Sequence, residues 1–158
     1  MVKLALSLLL LAVAGATTPA VQRLNAVQLR YDPAEWAIEE AALGRYRVLH
    51  TDRYGERRHV MDIRLDYGGP CSVEAMAALA ETRVGFEGRS GVTALPNGLS
   101  IHWAAGDLGC RNWAPRPLAA CVRHMSVAHL FESAPMGCRG PGADEDELLA
   151  LLRGLEPR

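Results

Sequence analysis

Hydrophobic and polar residues alternate along much of this chain, which is typical of half-buried β-strands. Over residues 25–31, Val27, Leu29 and Tyr31 alternate with Gln28 and Arg30. The same period of two recurs at residues 45–51 and 60–67, and four further segments pair as the strands of two expected hairpins. The sequence therefore predicts additional strands at residues 45–51, 60–67, 92–95, 99–103, 118–124 and 127–133.

Two short connections in this pattern predict tight hairpins. Between the strands at 92–95 and 99–103, Asn97-Gly98 supplies two residues that readily adopt positive φ, and it predicts a type I′ turn. Met125-Ser126 connects the last two predicted strands in the same way. The second half of the chain is therefore expected to fold as two consecutive hairpins.

Two segments have the spacing of apolar residues that predicts helices. Residues 72–84 begin at Ser72, a residue favoured as an N-cap, followed by Glu74 in the first turn. Residues 143–154 carry four acidic residues in their first turn and then a run of leucines. The acidic starts favour helices because carboxylates interact well with the positive end of the helix dipole.

Residues 32–43 are compatible with two structures. Asp32, Pro33 and Glu35 are typical of a helix start, and Gly44 could end such a helix. Trp36 and Ile38, however, alternate as they would in a strand. The local signals favour a helix, and a strand remains the alternative.

The order of these elements predicts the fold class. Strands, a helix, two hairpins and a final helix indicate an α+β domain held by disulfides. Its antiparallel sheet would have about six to seven strands and would be covered by the two helices. Residues 17–158 are long enough for one such domain, and they contain no long linker and no internal repeat.

Residues 1–16 have the features of a secretory signal peptide. Lys3 precedes an apolar run at residues 4–13, and small residues at 12–16 offer cleavage sites. This run is too short for a membrane span, so we expect no span after cleavage. Removal of residues 1–16 would leave 142 residues with 16 Arg, 18 acidic residues and a net charge of -2.

Four cysteines are expected to form two structural disulfides in an exported chain. They are Cys71, Cys110, Cys121 and Cys138, and none belongs to a Cys-x-x-Cys redox motif. We favour Cys110–Cys121 with Cys71–Cys138, because the first bridge would close a short ring around a proline-rich loop. The excess of Arg over Lys is typical of bacteria with GC-rich genomes, so a periplasmic or secreted location is expected.

The layout around Tyr31-Asp32-Pro33 and Trp36, followed by a helix, two hairpins and a helix with an acidic start, resembles the PsbP/Mog1-like superfamily. The resemblance covers nearly all of residues 17–158. It implies that the Trp36 region is a strand. It also implies a binding or assembly module with no catalytic residues to carry over.

Residues that could support enzymatic or metal chemistry are scattered. Ser90 stands in Gly-Arg-Ser-Gly, which is one residue short of the Gly-x-Ser-x-Gly motif of serine hydrolases. His102, His124 and His129, with Met125, are candidates for a soft periplasmic metal. A small hydrolase with an assembled Ser/His/acid site and a periplasmic metal binder are therefore alternative functions.

Arginine and aromatic residues provide two candidate binding regions. Arg45, Arg47 and Tyr54 lie around the first predicted hairpin, and Arg111 and Trp113 lie in the loop before Cys121. Both residue types are enriched at protein interfaces. The slightly acidic charge argues against nucleic acid. The leading expectation is an exported, non-enzymatic module without a cofactor that recognises a protein partner, with an inhibitory, immunity or assembly role.

Overall fold

The structure is a computed structural model that describes residues 17–84, 89–106, 116–135 and 143–158. The predicted signal peptide, Cys110, Arg111, Trp113 and Cys138 lie outside the described residues. Within them, no helix is long and apolar enough to cross a membrane. The elements in chain order are β1 (Ala20–Leu24), β2 (Val27–Tyr31), β3 (Trp36–Ala42), β4 (Arg45–Thr51), β5 (Arg57–Asp66), α1 (Val73–Val84), β6 (Arg89–Ala94), β7 (Ser100–Ala105), β8 (Leu118–His124), β9 (Val127–Ser133), α2 (Glu145–Leu152) and β10 (Leu155–Pro157).

The strands form two antiparallel sheets. The large sheet has seven strands in the order β3-β4-β5-β9-β8-β7-β6, and the small sheet has the order β1-β2-β10. The α+β class and the large antiparallel sheet match the prediction, whereas the small sheet was not predicted. Its strand β10 has only three residues and includes Pro157, so it is too short to show a period of two.

The two faces of the large sheet are covered by different elements. On one face, Leu24 and Leu29 of the small sheet, Leu148 and Leu152 of α2 and Phe131 of β9 belong to one buried cluster. On the other face, α1 packs chiefly on β6, β7 and β8. This second, smaller cluster comprises Met76, Ala80, Ala104, Ala119, Cys121 and Leu130. The helices therefore lie on opposite faces of the large sheet, and α2 closes the core between the two sheets.

The helix expected at residues 32–43 is wrong, because β3 occupies Trp36–Ala42. The helix-start residues form one turn only: the Asp32 carboxylate accepts from Ala34 N at 2.9 Å, and the Asp32 carbonyl accepts from Trp36 N at 2.9 Å. Trp36 then pairs with His50 across β3 and β4, with ring centroids 4.5 Å apart. Burial of the Trp36 side chain in the sheet core outweighs the local helix signals.

The type I′ turn expected at Asn97-Gly98 is also wrong. Only Gly98 of this pair has a positive φ, at 87°, and Gly98 N donates to the Leu95 carbonyl at 3.1 Å. The loop is therefore three residues long and ends in the left-handed conformation at Gly98. The Asn97 side chain instead donates to the Leu155 carbonyl at 2.7 Å, which ties this hairpin to β10. The hairpin at Met125-Ser126 is confirmed.

The disulfide pairing expected from the sequence is wrong. Cys71, just before α1, is bonded to Cys121 in the centre of β8. The bridge joins α1 to the sheet face that it covers, where Cys121 belongs to the smaller buried cluster. The short ring between Cys110 and Cys121 is therefore excluded, because Cys121 is already paired. The prediction relied on the short separation of Cys110 and Cys121 along the chain. That separation gives no information on the packing of the start of α1 over β8, which brings Cys71 to Cys121.

The Cys71–Cys121 bridge is expected to contribute substantially to stability. Its two cysteines are 50 residues apart, and closing a ring of that size in the unfolded chain corresponds to about 4 kcal/mol. We predict that Cys71→Ser lowers the free energy of unfolding in urea by about that amount.

The control is the same comparison in a strong reductant, where wild type and variant should have nearly equal stability. Peptide mapping without reduction should recover a Cys71–Cys121 linked peptide. Recovery of a Cys110–Cys121 peptide instead would contradict the structure.

His129 links the two sheets through a buried hydrogen bond. It lies on β9, has no exposed surface, and its Nε2 donates to the Leu24 carbonyl at 2.6 Å at the end of β1. Nδ1 is buried without a hydrogen-bond partner. Burial lowers the pKa of His129 below its ordinary value, and the neighbouring His124 acts in the same direction. The folded protein therefore holds this imidazole neutral.

This histidine should make the fold sensitive to acid. Below about pH 6.5 the unfolded chain binds a proton at position 129 that the folded chain excludes. We predict that the free energy of unfolding decreases as the pH falls through this value, by up to about 1.4 kcal/mol per pH unit. Urea denaturation at a series of pH values between 8 and 5 measures this decrease in the free energy of unfolding.

A matched pair of variants isolates the effect. His129→Gln should be less stable but should lose most of this pH dependence, whereas His124→Gln should retain it. Equal pH dependence in wild type and His129→Gln would contradict the assignment.

Candidate binding surface

Arg45 and Arg47 lie on the part of the large sheet beside α1, where the helix does not cover the strands. They are two residues apart on β4 and point to the same face, opposite Arg64 and Asp62 of β5. This is the face on which α1 packs, but α1 lies chiefly over β6, β7 and β8. The half of that face formed by β3, β4 and β5 is consequently left as a charged surface beside the helix.

Charges on this face follow the register of the strands. One row across β3, β4, β5 and β9 consists of Glu39, Arg47, Asp62 and Glu132, so Arg47 lies between two carboxylates, and Asp62 stands opposite a second acidic residue. In the next row Arg45 stands directly opposite Arg64. Like charges in such positions destabilise a sheet. Arg64 reaches Glu132 at 3.4 Å, whereas Arg45 forms no ion pair with any residue that the structure describes.

Two open clefts meet at this pair of arginines. A cleft of about 700 Å³ lies between the sheet and Leu79 of α1, and a cleft of about 520 Å³ lies beside the turn at Gly44. Both are lined by Arg45, Tyr46 and Arg64. Together they bring five arginines to one end of the molecule. We call this set the arginine surface: Arg23, Arg45, Arg47, Arg64 and Arg158.

Apolar and aromatic groups accompany these charges. Leu43 is 97% exposed at the β3–β4 turn, and Tyr67 is 68% exposed after β5. The Asn25 side-chain amide donates to the Tyr67 hydroxyl oxygen at 2.7 Å, which fixes the ring beside the β1–β2 turn. Burial raises the pKa of Tyr46, and Glu40 and Tyr67 add to this effect. The Tyr46 hydroxyl therefore stays protonated at neutral pH and can donate a hydrogen bond.

The structure separates the other predicted binding residues from this surface. Tyr54 is 75% exposed in the β4–β5 turn, at the opposite end of the hairpin from Arg45, and the Arg53 guanidinium lies 4.9 Å from its ring centroid. Arg111 and Trp113 lie outside the described residues. Sequence reasoning missed Arg23, Arg64 and Arg158 as neighbours of Arg45, because only the strand pairing and the close approach of the two sheets bring them together.

The residues considered for metal or hydrolytic chemistry do not assemble into one site. His102 faces the α1 side of the sheet, whereas His124 and His129 face the main core. Among the described residues, no group of three His, Cys, Asp or Glu side chains could hold a metal ion. Ser90, the serine considered for hydrolytic chemistry, is exposed on β6 and stands opposite Ala104 of β7.

A third cleft, of about 630 Å³, lies between α2 and the β2–β3 connection. Its lining includes Trp36 and His50, which contact each other, and Arg30, which is paired with Glu156 at 3.1 Å. Basic and acidic residues are mixed around it, including Arg53, Asp32, Glu35 and Glu147. It therefore lacks the excess of basic residues around the other two clefts, where five arginines accompany Glu40, Asp62 and Glu132.

No protein-family model matches this chain, and no curated protein matches it. Its function is therefore inferred from its residues and their arrangement.

The juxtaposition of Arg45 and Arg64 should reduce the stability of the free protein. We predict that Arg45→Gln, which keeps most of the side chain but removes the charge, raises the free energy of unfolding by about 0.2–1 kcal/mol at low salt. Arg57→Gln is the matched control, because Arg57 is exposed on β5 and stands opposite Thr51.

Urea denaturation at low and high salt measures both variants. The gain from Arg45→Gln should shrink in high salt, since salt screens exposed charges. A loss of stability at low salt would show that Arg45 has a favourable partner.

Proposed function

We propose that this chain is an exported, non-enzymatic binding module that recognises an acidic segment of a protein partner through the arginine surface. The single observation that carries the proposal is the placement of Arg45 directly opposite Arg64, with no carboxylate of the described residues paired to Arg45. Such an arrangement is unfavourable in the free protein and becomes favourable when an anionic group binds between the two guanidinium groups.

The composition of the surface favours a protein as the partner. Leu43 and Tyr67 expose apolar area beside the arginines, and interfaces between proteins combine buried apolar and aromatic contacts with a polar rim. Arg pairs with carboxylates through two parallel hydrogen bonds, so Asp or Glu side chains of the partner suit it. The open clefts fit an extended segment better than an enclosed small molecule, because no deep pocket surrounds these residues.

The proposed location is supported by the covalent structure. A disulfide joins Cys71 to Cys121, and such bridges persist in oxidising compartments such as the periplasm or the exterior of the cell. Together with the predicted signal peptide at residues 1–16, the disulfide supports export. Inhibitory, immunity and assembly roles are all compatible with a small module of this kind.

Membership of the PsbP/Mog1-like superfamily remains a proposal. The strand that this resemblance implied at Trp36 is present as β3. The binding and assembly roles common in that superfamily agree with the proposed function. None of the described residues gives a specific reason to prefer the hydrolase or the metal binder.

The proposal is tested by capturing partners from periplasmic extract with the full chain as bait. We predict that the double variant Arg45→Glu, Arg47→Glu loses at least about tenfold of the captured partner, because repulsion replaces attraction at the centre of the surface. Wild-type capture should decline as salt is raised, since exposed charge pairs are screened. Quantitative mass spectrometry of the eluates is the measurement.

Two controls make the result specific. Arg57→Glu makes the same Arg-to-Glu change at a single position, next to the β4–β5 turn and away from Arg45. This variant should capture the partner as wild type does. Trp113→Ala tests the second region predicted from the sequence. If the double variant captured the same proteins in the same amounts as wild type, the arginine surface would not be the binding site.

A further inference from the structure

The edge strand β6 differs from the other free edges of this protein. It pairs on one side with β7 through six consecutive residue pairs without a register shift. Arg89, Ser90, Val92 and Ala94 are exposed, and the Val92 side chain has 54% of its surface exposed. Among the described residues no strand pairs with the outer side of β6, and the strand is regular enough to accept another strand there.

Each remaining edge carries a feature that opposes strand addition. On β3, Glu39 and Glu40 are exposed and the register shifts between Glu40 and Ala42. The short strand β10 contains Pro157, and β1 carries the exposed Arg23. Charges, prolines and irregular pairing are the usual means by which proteins protect their edges. On β6 the one charged residue is Arg89, at the first position, and it is held in an ion pair with the buried Glu145.

Trp103 of β7 stiffens the centre of this edge. Its indole lies against Gly91, where a Cβ atom would stand 3.4 Å from the ring, and its Nε1 donates to the Thr93 hydroxyl at 3.2 Å. The ring thus fills the space left by the missing side chain and supports the centre of β6. A supported edge loses little conformational freedom when another strand pairs with it.

We propose that β6 pairs antiparallel with β6 of a second copy of this chain. A two-fold axis perpendicular to the sheet joins the two copies into one continuous sheet in which the same face of each copy points to the same side. Residues that pair across the axis must therefore point to the same face of that sheet. With the axis at Val92, Val92 meets Val92 of the second copy, Gly91 meets Thr93, and Ser90 meets Ala94. Val–Val is a favourable cross-strand pair, and Arg89 stays outside the paired segment with Glu145.

The sequence of β3 excludes the same arrangement at the opposite edge. An antiparallel self-pairing of residues 36–42 about their centre would place Glu39 opposite Glu39 of the second copy, and like charges in register are unfavourable. The second copy is therefore assigned to β6. Pairing there leaves both arginine surfaces free, roughly 50 Å apart by counting strand spacings of about 4.8 Å, so a dimer could engage two partner sites.

This inference is independent of the proposed function, and its test requires no partner. Sedimentation velocity of the full chain, from about 5 to 500 μM, should show a dimer whose fraction rises with concentration. Val92→Lys places two ammonium groups opposite each other and should weaken the dimer at least about tenfold. The matched control is Val21→Lys on the exposed surface of β1, which should dimerise as wild type does.

Crosslinking tests the register and does not depend on the lysine variant. Val92→Cys should form an intermolecular disulfide in the full chain under mild oxidation, whereas Val21→Cys should not, because only position 92 lies next to its own copy. Circular dichroism and urea denaturation verify that each variant is folded. A monomer at every concentration, an unchanged dimer in folded Val92→Lys, or equal crosslinking at positions 21 and 92 would overturn the proposal.

Discussion

The burial of β8 and β9 on both faces is the constraint on which the rest of this structure depends. Every residue of β9 is buried, and so are the first five residues of β8. This is possible only because the small sheet and α2 cover one face while α1 covers the other. The hydrogen bond from His129 to Leu24 attaches the small sheet to β9. The disulfide between Cys71 and Cys121 attaches the start of α1 to β8. The two central strands therefore act as the common core of both layers.

The covering layers are narrower than the seven-stranded sheet, and this difference leaves part of the sheet uncovered. Helix α1 has 12 residues and lies over β6, β7 and β8, so the β3–β5 half of its face must be compatible with water. That half carries charged residues at alternate positions, as an exposed sheet face requires. Opposite charges face each other where Arg47 stands between Glu39 and Asp62, whereas like charges face each other at Asp62–Glu132 and at Arg45–Arg64. The proposed anion would bind beside the second of these like-charge pairs.

The sequence predicted the features that depend on neighbouring residues. Alternation at residues 45–51, the helix at 72–84 and the turn at Met125-Ser126 all follow from local periodicity and turn chemistry. The predictions were wrong where contacts between residues far apart in the sequence determine the structure. The burial of Trp36 outweighs the helix signals at Asp32, and Asn97 binds the Leu155 carbonyl instead of forming the expected type I′ turn. The partner of Cys71 and the neighbours of Arg45 depend on strand order, which no local pattern encodes. The arginine surface was accordingly predicted only in part.

The stability cost predicted for the Arg45–Arg64 pair bears on the proposed function because a neutral residue could have avoided it. A neutral residue at position 45 would keep the strand, since its side chain is exposed and contributes nothing to the core beneath. Proteins tolerate such local losses at binding sites when the rest of the fold is sufficiently stable. Here that stability comes from β8 and β9, which are buried on both faces, and from the disulfide at Cys121. Both strands lie at least two positions from β4 in the sheet. The proposed binding of an anion would therefore account for this pair, which the fold itself does not require.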